Sequence, residues 1–341
     1  MMRRFRSSLG LALFVVFAAG VASACTIPVF RYALDRWEAD PFRLVVPKSW
    51  ATDREKVKLL VPLRGNALAN VLVEESEDPA LDRARWLFPH HDSVLWEGPL
   101  ESASLATVLD SPARQELIER ILDGDSVIWV VATKGSDTAE VERVRARLRF
   151  LEQVADLPVQ NPDDPDSQLG PGPDLKLKFS VLPLSLDDPA ERLFALMLAG
   201  PGHAAFVEEG TAFAAPVFGR GRVLGAWPLD ELDDPTIEDT SLFLTGRCSC
   251  RVKNENPGWD ILLKIDWENA LARAGEEPDA VAEETPAPSA EAKPGPVETV
   301  VIAPVAVAAP PGNAGRSWVT IGGIGLAAIF VLAGWRLWRV R

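Results

Sequence analysis

This sequence is poor in the residues that carry most enzyme chemistry. Its 341 residues include three histidines and three cysteines. No Gly-x-Ser-x-Gly, His-Glu-x-x-His or Gly-x-x-x-x-Gly-Lys-[Ser/Thr] pattern occurs, which excludes a nucleophile elbow, a zinc-protease helix and a phosphate loop. Nothing therefore points to a hydrolase. Positive charge is scarce away from the two ends. The net charge is −14 although Arg3, Arg4 and Arg6 open the chain and Arg336, Arg339 and Arg341 close it. The stretch between them is more acidic still. It lacks the clustered Lys and Arg that a phosphate backbone requires, so nucleic acid is excluded as a partner. A basic-patch grip on anionic lipid is excluded with it. Long uncharged apolar runs occur only at the ends, which rules out a many-pass transporter. With 47% hydrophobic and 25% charged residues, most of the chain is able to fold around a core.

The start has the pattern of an export signal over residues 1–24. Arg3, Arg4 and Arg6 form a basic region, and Leu9 to Val21 is apolar but short for a span. Ala22-Ser23-Ala24 is a cleavage site that would make Cys25 the first residue of the mature chain. An uncleaved anchor is the alternative. Val21-Ala22-Ser23-Ala24-Cys25 is similar to the box of bacterial lipoproteins, with Ala22 where Leu is usual, so Cys25 is also a candidate for lipidation.

The other end predicts a membrane helix over 317–335 and a basic cytoplasmic tail over 336–341. Trp318 to Trp335 contains no charge and would cover roughly 27 Å as a helix. Trp318 and Trp335 stand at its boundaries, and Arg336, Arg339 and Arg341 follow. Aromatic belts and the positive-inside rule then place the C-terminus in the cytoplasm and the body outside. Gly322, Gly323, Gly325 and Gly334 leave room for a second helix to pack. Residues 274–316 are rich in Pro, Ala and acidic side chains. Such a stretch buries too little to offset ordering entropy, so a disordered linker of about 40 Å mean reach is expected.

The body, residues 25–273, reads as α/β. A first helix carries Val29, Phe30, Ala33, Leu34 and Trp37 on one face. A strand over Phe42–Val46 follows. Thr52-x-x-Glu55 opens a helix with Val57, Leu60 and Val61 inward. A strand at Ala69–Glu74, a short helix at Pro79–Trp86 and strands near Trp86–Phe88 and Val94–Glu97 come next. Ser111-Pro112 starts a helix that Gly124 ends. The second half begins with Ser126–Thr133, apolar on both faces as a central strand is. A helix with Val141, Val144, Leu148 and Leu151, a strand from Leu175 to Val181 and a helix from Pro189 follow. A hairpin is expected across Gly219-Arg220-Gly221, then a helix from Pro235 and a final strand from Trp259 to Trp267.

Each half, 25–124 and 125–273, thus reads βαβαββα, an order that resembles the thioredoxin fold. Ala215-Pro216 stands before a hairpin, where thioredoxins keep a cis proline. The resemblance implies a Cys-x-x-Cys site after the first strand of each half. Those positions read Pro47-Lys48-Ser49-Trp50 and Lys134-Gly135-Ser136-Asp137, without cysteine. The phrases Cys25-Thr26-Ile27-Pro28-Val29-Phe30-Arg31-Tyr32-Ala33-Leu34 and Cys248-Ser249-Cys250-Arg251-Val252-Lys253-x-x-Asn256-Pro257-Gly258 are similar to those of an uncharacterised bacterial family of exported, membrane-anchored proteins. That resemblance implies export and no known activity.

Cys248-Ser249-Cys250 is the main chemical motif. Arg247, Arg251 and Lys253 flank it and would favour thiolates. Three readings stay open: a structural bridge or buried thiols, a labile redox pair, or a Cu(I) or Zn site. His90-His91-Asp92 offers half a metal site in a turn, against a plain solvated turn. Asn161 to Asp166 lacks the ligand alternation of a calcium loop. No cofactor is implied. The pattern predicts a tethered, non-catalytic binding or accessory module acting with another membrane protein. The alternative is a thiol-redox or soft-metal handling protein that uses Cys248 and Cys250.

Overall fold

The computed structural model describes residues 26–276, apart from 65–67, 136–137, 162 and 249–251. The expected signal segment, Cys25, Cys250, the part of the expected linker beyond residue 276, the expected span with Trp318 and Trp335, and Arg336, Arg339 and Arg341 lie outside the described residues. Among the described residues no helix is long and apolar enough to cross a membrane.

The body is mixed α/β, with two sheets. Helix α1 (Val29–Arg36) comes first, and Val29, Phe30, Ala33 and Leu34 are buried as its periodicity predicts. Strand β1 (Phe42–Pro47) leads through a 3-10 turn at Lys48–Thr52 into α2 (Arg54–Leu60). Asp53, not Thr52, caps α2: its carboxylate accepts from the amides of Glu55 and Lys56. Leu60 is buried, while Val57 and Val61 face solvent. Then come β2 (Val71–Ser76), β3 (Ala84–Leu87) and β4 (Val94–Gly98). The helix expected at Pro79–Trp86 does not form. Asp78 accepts from the Ala80 amide at 2.9 Å in a turn, and Arg85 pairs across the strands with Glu97 at 2.7 Å. The first sheet has the order β2-β1-β3-β4, with β1 parallel to β2 and antiparallel to β3.

Helices α3 (Ser102–Leu109) and α4 (Pro112–Leu122) connect the sheets. The sequence patterning missed α3, which opens on a capping box between Glu101 and Ser104. Gly124, at φ 89°, turns the chain into β5 (Val127–Thr133). Every residue of β5 is buried. At about 2 kcal/mol or more for each large apolar side chain, this strand anchors the body. Helix α5 (Thr138–Val154) crosses over to β6 (Phe179–Ser185), which runs parallel to β5. Helices α6 (Arg192–Ala199) and α7 (Ala204–Glu209) precede β7 (Phe213–Phe218), β8 (Arg222–Val223) and β9 (Trp227–Pro228). Then follow α8 (Asp234–Thr245), β10 (Trp259–Asp260) and α9 (Trp267–Ala274). The second sheet runs β10-β8-β7-β5-β6, with β9 beside β7.

The two faces of β5 belong to different apolar clusters. Ile128, Val130 and Ala132 pack in a cluster that also holds Phe42, Leu44 and Trp86 of the first sheet. Val127, Trp129 and Val131 pack with α5, α8 and the α1 residues Val29, Phe30 and Ala33. The N-terminal helix thus sits on the second sheet. The final strand is shorter than its alternation suggests. Ile261, Leu262 and Leu263 are all buried, and Asn70 takes the place of a neighbouring strand. Its side chain donates to Ile261 O at 3.1 Å and accepts from the Leu263 amide at 3.0 Å.

Candidate functional site

The two loops after β1 and β5 are where a thiol site would sit in the expected topology. The first folds into the 3-10 turn over Lys48–Thr52. In the second, Lys134 Nζ donates to Glu209 O at 3.1 Å, and the Gly135 amide donates to Asp187 Oδ2 at 2.7 Å. Neither loop has a thiol. Pro216 lies inside β7, paired with Trp129 of β5. No cis peptide bond occurs among the described residues, so Pro216 does not form the loop the resemblance implies.

Cys248 follows α8 and is 3% exposed, packed in the cluster with Val29, Phe30 and Leu244. Its amide donates to Ile27 O at 3.0 Å, and Arg247 bridges Pro28 in antiparallel fashion. The segment just after Cys25 is therefore laid along the segment leading to Cys250. The expected basic flank works differently from its sequence reading. Lys253 Nζ contacts Asp260 and lies 2.9 Å from Asp40 Oδ1. Two carboxylates take up its charge, which leaves it little influence on a nearby thiol.

That lysine belongs to a buried charge cluster that sequence patterning did not single out. Arg222 Nη1 meets Asp260 Oδ1 at 3.0 Å, and its other nitrogens donate to the carbonyls of Asn256, Pro257 and Gly258. The Asp40 amide donates to Asp260 Oδ2 at 2.6 Å. The guanidinium lies 5.8 Å from the Trp37 ring centre. One sequence signal was available: Asp260 is a lone acid between Trp259 and Ile261. The adjoining cavity is only about 10 Å³, room for no more than a water. Charges that are paired, hydrogen-bonded and sealed in this way hold elements together. Here they tie the chain after α1 to β8 and β10.

The histidines do not assemble a metal site. His90 is exposed, at φ 56°, with Nε2 3.5 Å from Asp40 Oδ1. His91 Nδ1 accepts from the Ser93 amide at 3.1 Å and closes the β3–β4 turn. His203 packs on Phe206 instead. No group of three or more His, Cys, Asp or Glu side chains is placed to hold a metal among the described residues.

The chain matches no family model, no curated protein and no solved structure.

One concave surface lies beside the outer strand of the first sheet. A groove of about 360 Å³ runs between β4 and the α6–α7 turn, with Val94 and Leu95 on one wall and Leu196, Ala204 and Glu208 on the other. Strand β4 is the edge of its sheet. Ser93 and Glu208 are the polar side chains among its lining residues.

Proposed function

We propose that this chain is an exported, non-catalytic binding or accessory module, tethered by one C-terminal span and acting with another membrane protein. We also propose that its two halves are thioredoxin-like. In each sheet the first strand lies between a parallel second strand and an antiparallel third, with the fourth beyond the third. The observation that carries the functional reading is the loop after β5. Its backbone and lysine are tied to Asp187 and Glu209, and it offers no thiol where redox members of such a fold need one. The terminal arginines and the glycine-faced apolar run support the tether and the membrane partner. Burial of Cys248 and the pairing of Lys253 speak against the redox and soft-metal alternative.

The test combines topology and complementation. Protease added to spheroplasts digests the body and spares a tag at the C-terminus. Crosslinking followed by mass spectrometry recovers a membrane protein. A body without residues 317–341 fails to restore a deletion strain. Protection of the body, or full rescue by the untethered body, overturns the proposal.

A further inference from the structure

We infer that the outer edge of β4, with the α6–α7 turn facing it, is a docking groove for one extended peptide segment that carries alternating apolar residues and a basic residue. The inference rests on the reading of this chain as a binding module, and names the kind of segment the module takes.

Ser93, Val94 and Leu95 all line the groove. Side chains alternate between the two faces of a strand, so three consecutive residues border one space only along the strand's edge. The inner face is already used: Leu95 and Trp96 both pack toward the core, where the β3–β4 register shifts between Trp86 and Leu87. The Phe88 amide donates to Ser93 O at 3.2 Å, and the next pair is Leu87 with Val94. In an antiparallel ladder the pair beside a hydrogen-bonded one turns its amides and carbonyls outward. Val94 therefore offers both groups to the groove. No hydrogen bond from another described element reaches them, and the Val94 side chain is 50% exposed.

Two other outer strands are blocked. In β6 the Phe179 amide donates to Glu152 Oε1 at 2.6 Å, Val181 O accepts from Arg120 at 3.1 Å, and Pro183 has no amide hydrogen to offer. Along β2 the charged pairs Arg43–Glu74 and Arg64–Glu75 guard the edge. Proline and charge are the usual devices against an added strand. The groove side of β4 has neither proline nor an ion pair at Val94 and Leu95, which leaves it open to strand addition.

The opposite wall fixes the occupant. Gly200, Gly202, Ala204 and Ala205 stand there with Leu196, and a Cβ built on Gly202 meets nothing within 4 Å. Small residues leave width for a backbone, and walls on both sides admit one strand and not a sheet. A second copy of this chain would bring its own β3 and its own α6–α7 turn with its β4. The occupant is therefore a peptide segment of another protein. Val94, Leu95 and Leu196 favour apolar side chains on it. No lining residue is cationic. Glu208 is exposed, and no cation pairs with it among the described residues. A lysine or arginine of the peptide supplies that partner.

The experiment selects random heptapeptides, displayed on phage, against the full chain in detergent, and measures binding of the enriched peptides after synthesis. They should alternate apolar residues and share a Lys or Arg. Ala205→Trp and Ala204→Trp fill the groove from exposed helix positions and should each weaken binding by about tenfold or more, with thermal melts showing that both chains fold. Glu208→Lys leaves the groove open. It should weaken the basic peptides by about threefold to fivefold and enrich acidic ones in a fresh selection. N-methylation of the peptide at alternate amides should abolish binding, and at the amides between should leave it, as strand pairing requires. No enriched peptide, enriched peptides without a basic residue, binding that survives both tryptophan variants, or an N-methyl pattern without alternation overturns the proposal. So does a dimer of the parent chain that Ala205→Trp disperses. Peptides that bind as expected, with no membrane protein recovered by crosslinking, support the groove and overturn the membrane-partner reading. A membrane protein that crosslinks equally to the Ala205→Trp chain supports that reading and overturns this one.

Discussion

Ser111 Oγ donates to Glu191 Oε2 at 2.6 Å, and both side chains are buried. Glu191 Oε1 also accepts from the Ala113 amide at 2.8 Å. A carboxylate at the start of α6 thus caps α4, which follows the first sheet. Beside it, burial pushes the Arg114 guanidinium down to about 10, against the pull of Asp110 and Glu191. Arg114 in turn donates to the carbonyls of Val108 and Thr107. The junction between the two sheets is therefore polar and satisfied.

Glu191→Ala should lower the stability of the body by about 2–3 kcal/mol, because one buried and one partly buried donor lose their acceptor. Glu191→Gln keeps one amide oxygen as acceptor and should lose less. Urea unfolding followed by tryptophan fluorescence measures both. Equal stability of the alanine variant and the parent would show that the junction carries no load.

Gly258→Ala should be among the most damaging single changes. Gly258 has φ 106°, and an added Cβ would lie 2.1 Å from Val223 O. Its carbonyl also accepts from Arg222 at 3.1 Å. Strain at such a position costs about 1–3 kcal/mol before any backbone shift. Thermal unfolding should show a clear fall in Tm. Gly135→Ala is the control: it also has positive φ, but no atom lies within 4 Å of the added Cβ.

Acid should weaken the starts of α8 and α9. Asp233 is held below its ordinary value of 3.8 by hydrogen bonds from the Thr236 side chain and amide. Asp266 is held low in the same way by Asn269. Because the folded values are depressed, this stabilisation is present above pH 3.8 and is lost as pH falls through the folded values. Asp233→Asn and Asp266→Asn should flatten the acid limb of the stability curve measured by circular dichroism. An unchanged acid limb in the double variant would sink the assignment.

Cys248 should react slowly. A thiol that is 3% exposed waits for local opening, so iodoacetamide at pH 7 should label it about tenfold or more slower than a free thiol. Lys253→Met should leave that rate unchanged relative to the opening rate, since Asp40 and Asp260 hold the lysine. Fast labelling in the folded chain would restore the redox reading.

Local periodicity determined what it could reach. β5 reads correctly because Val127 to Ala132 is an unbroken apolar run. Helix α1 reads correctly because its buried side chains repeat at helical spacing. The missing Cys-x-x-Cys and the scarcity of histidine were likewise plain in the sequence. Elsewhere the deciding partner lies far along the chain. Asn70 ends the last strand by bonding Ile261 and Leu263. In α2 Leu60 packs into the cluster shared with the second sheet, while Val57 faces out. Lys253 meets Asp40 instead of a thiolate.

The sequence by itself thus determined the class of the body, its strongest strand and helices, and the chemistry it has no residues for. Only the tertiary structure decided that α1 packs on the second sheet, that Glu191 caps α4, and that Ile27 to Val29 run beside Gly246 to Cys248. The physical reason is range. Burial periodicity is set by neighbours three or four residues away and is written along the chain. Buried polar groups must find partners wherever the fold brings them, and no local pattern records which distant carboxylate or amide that will be.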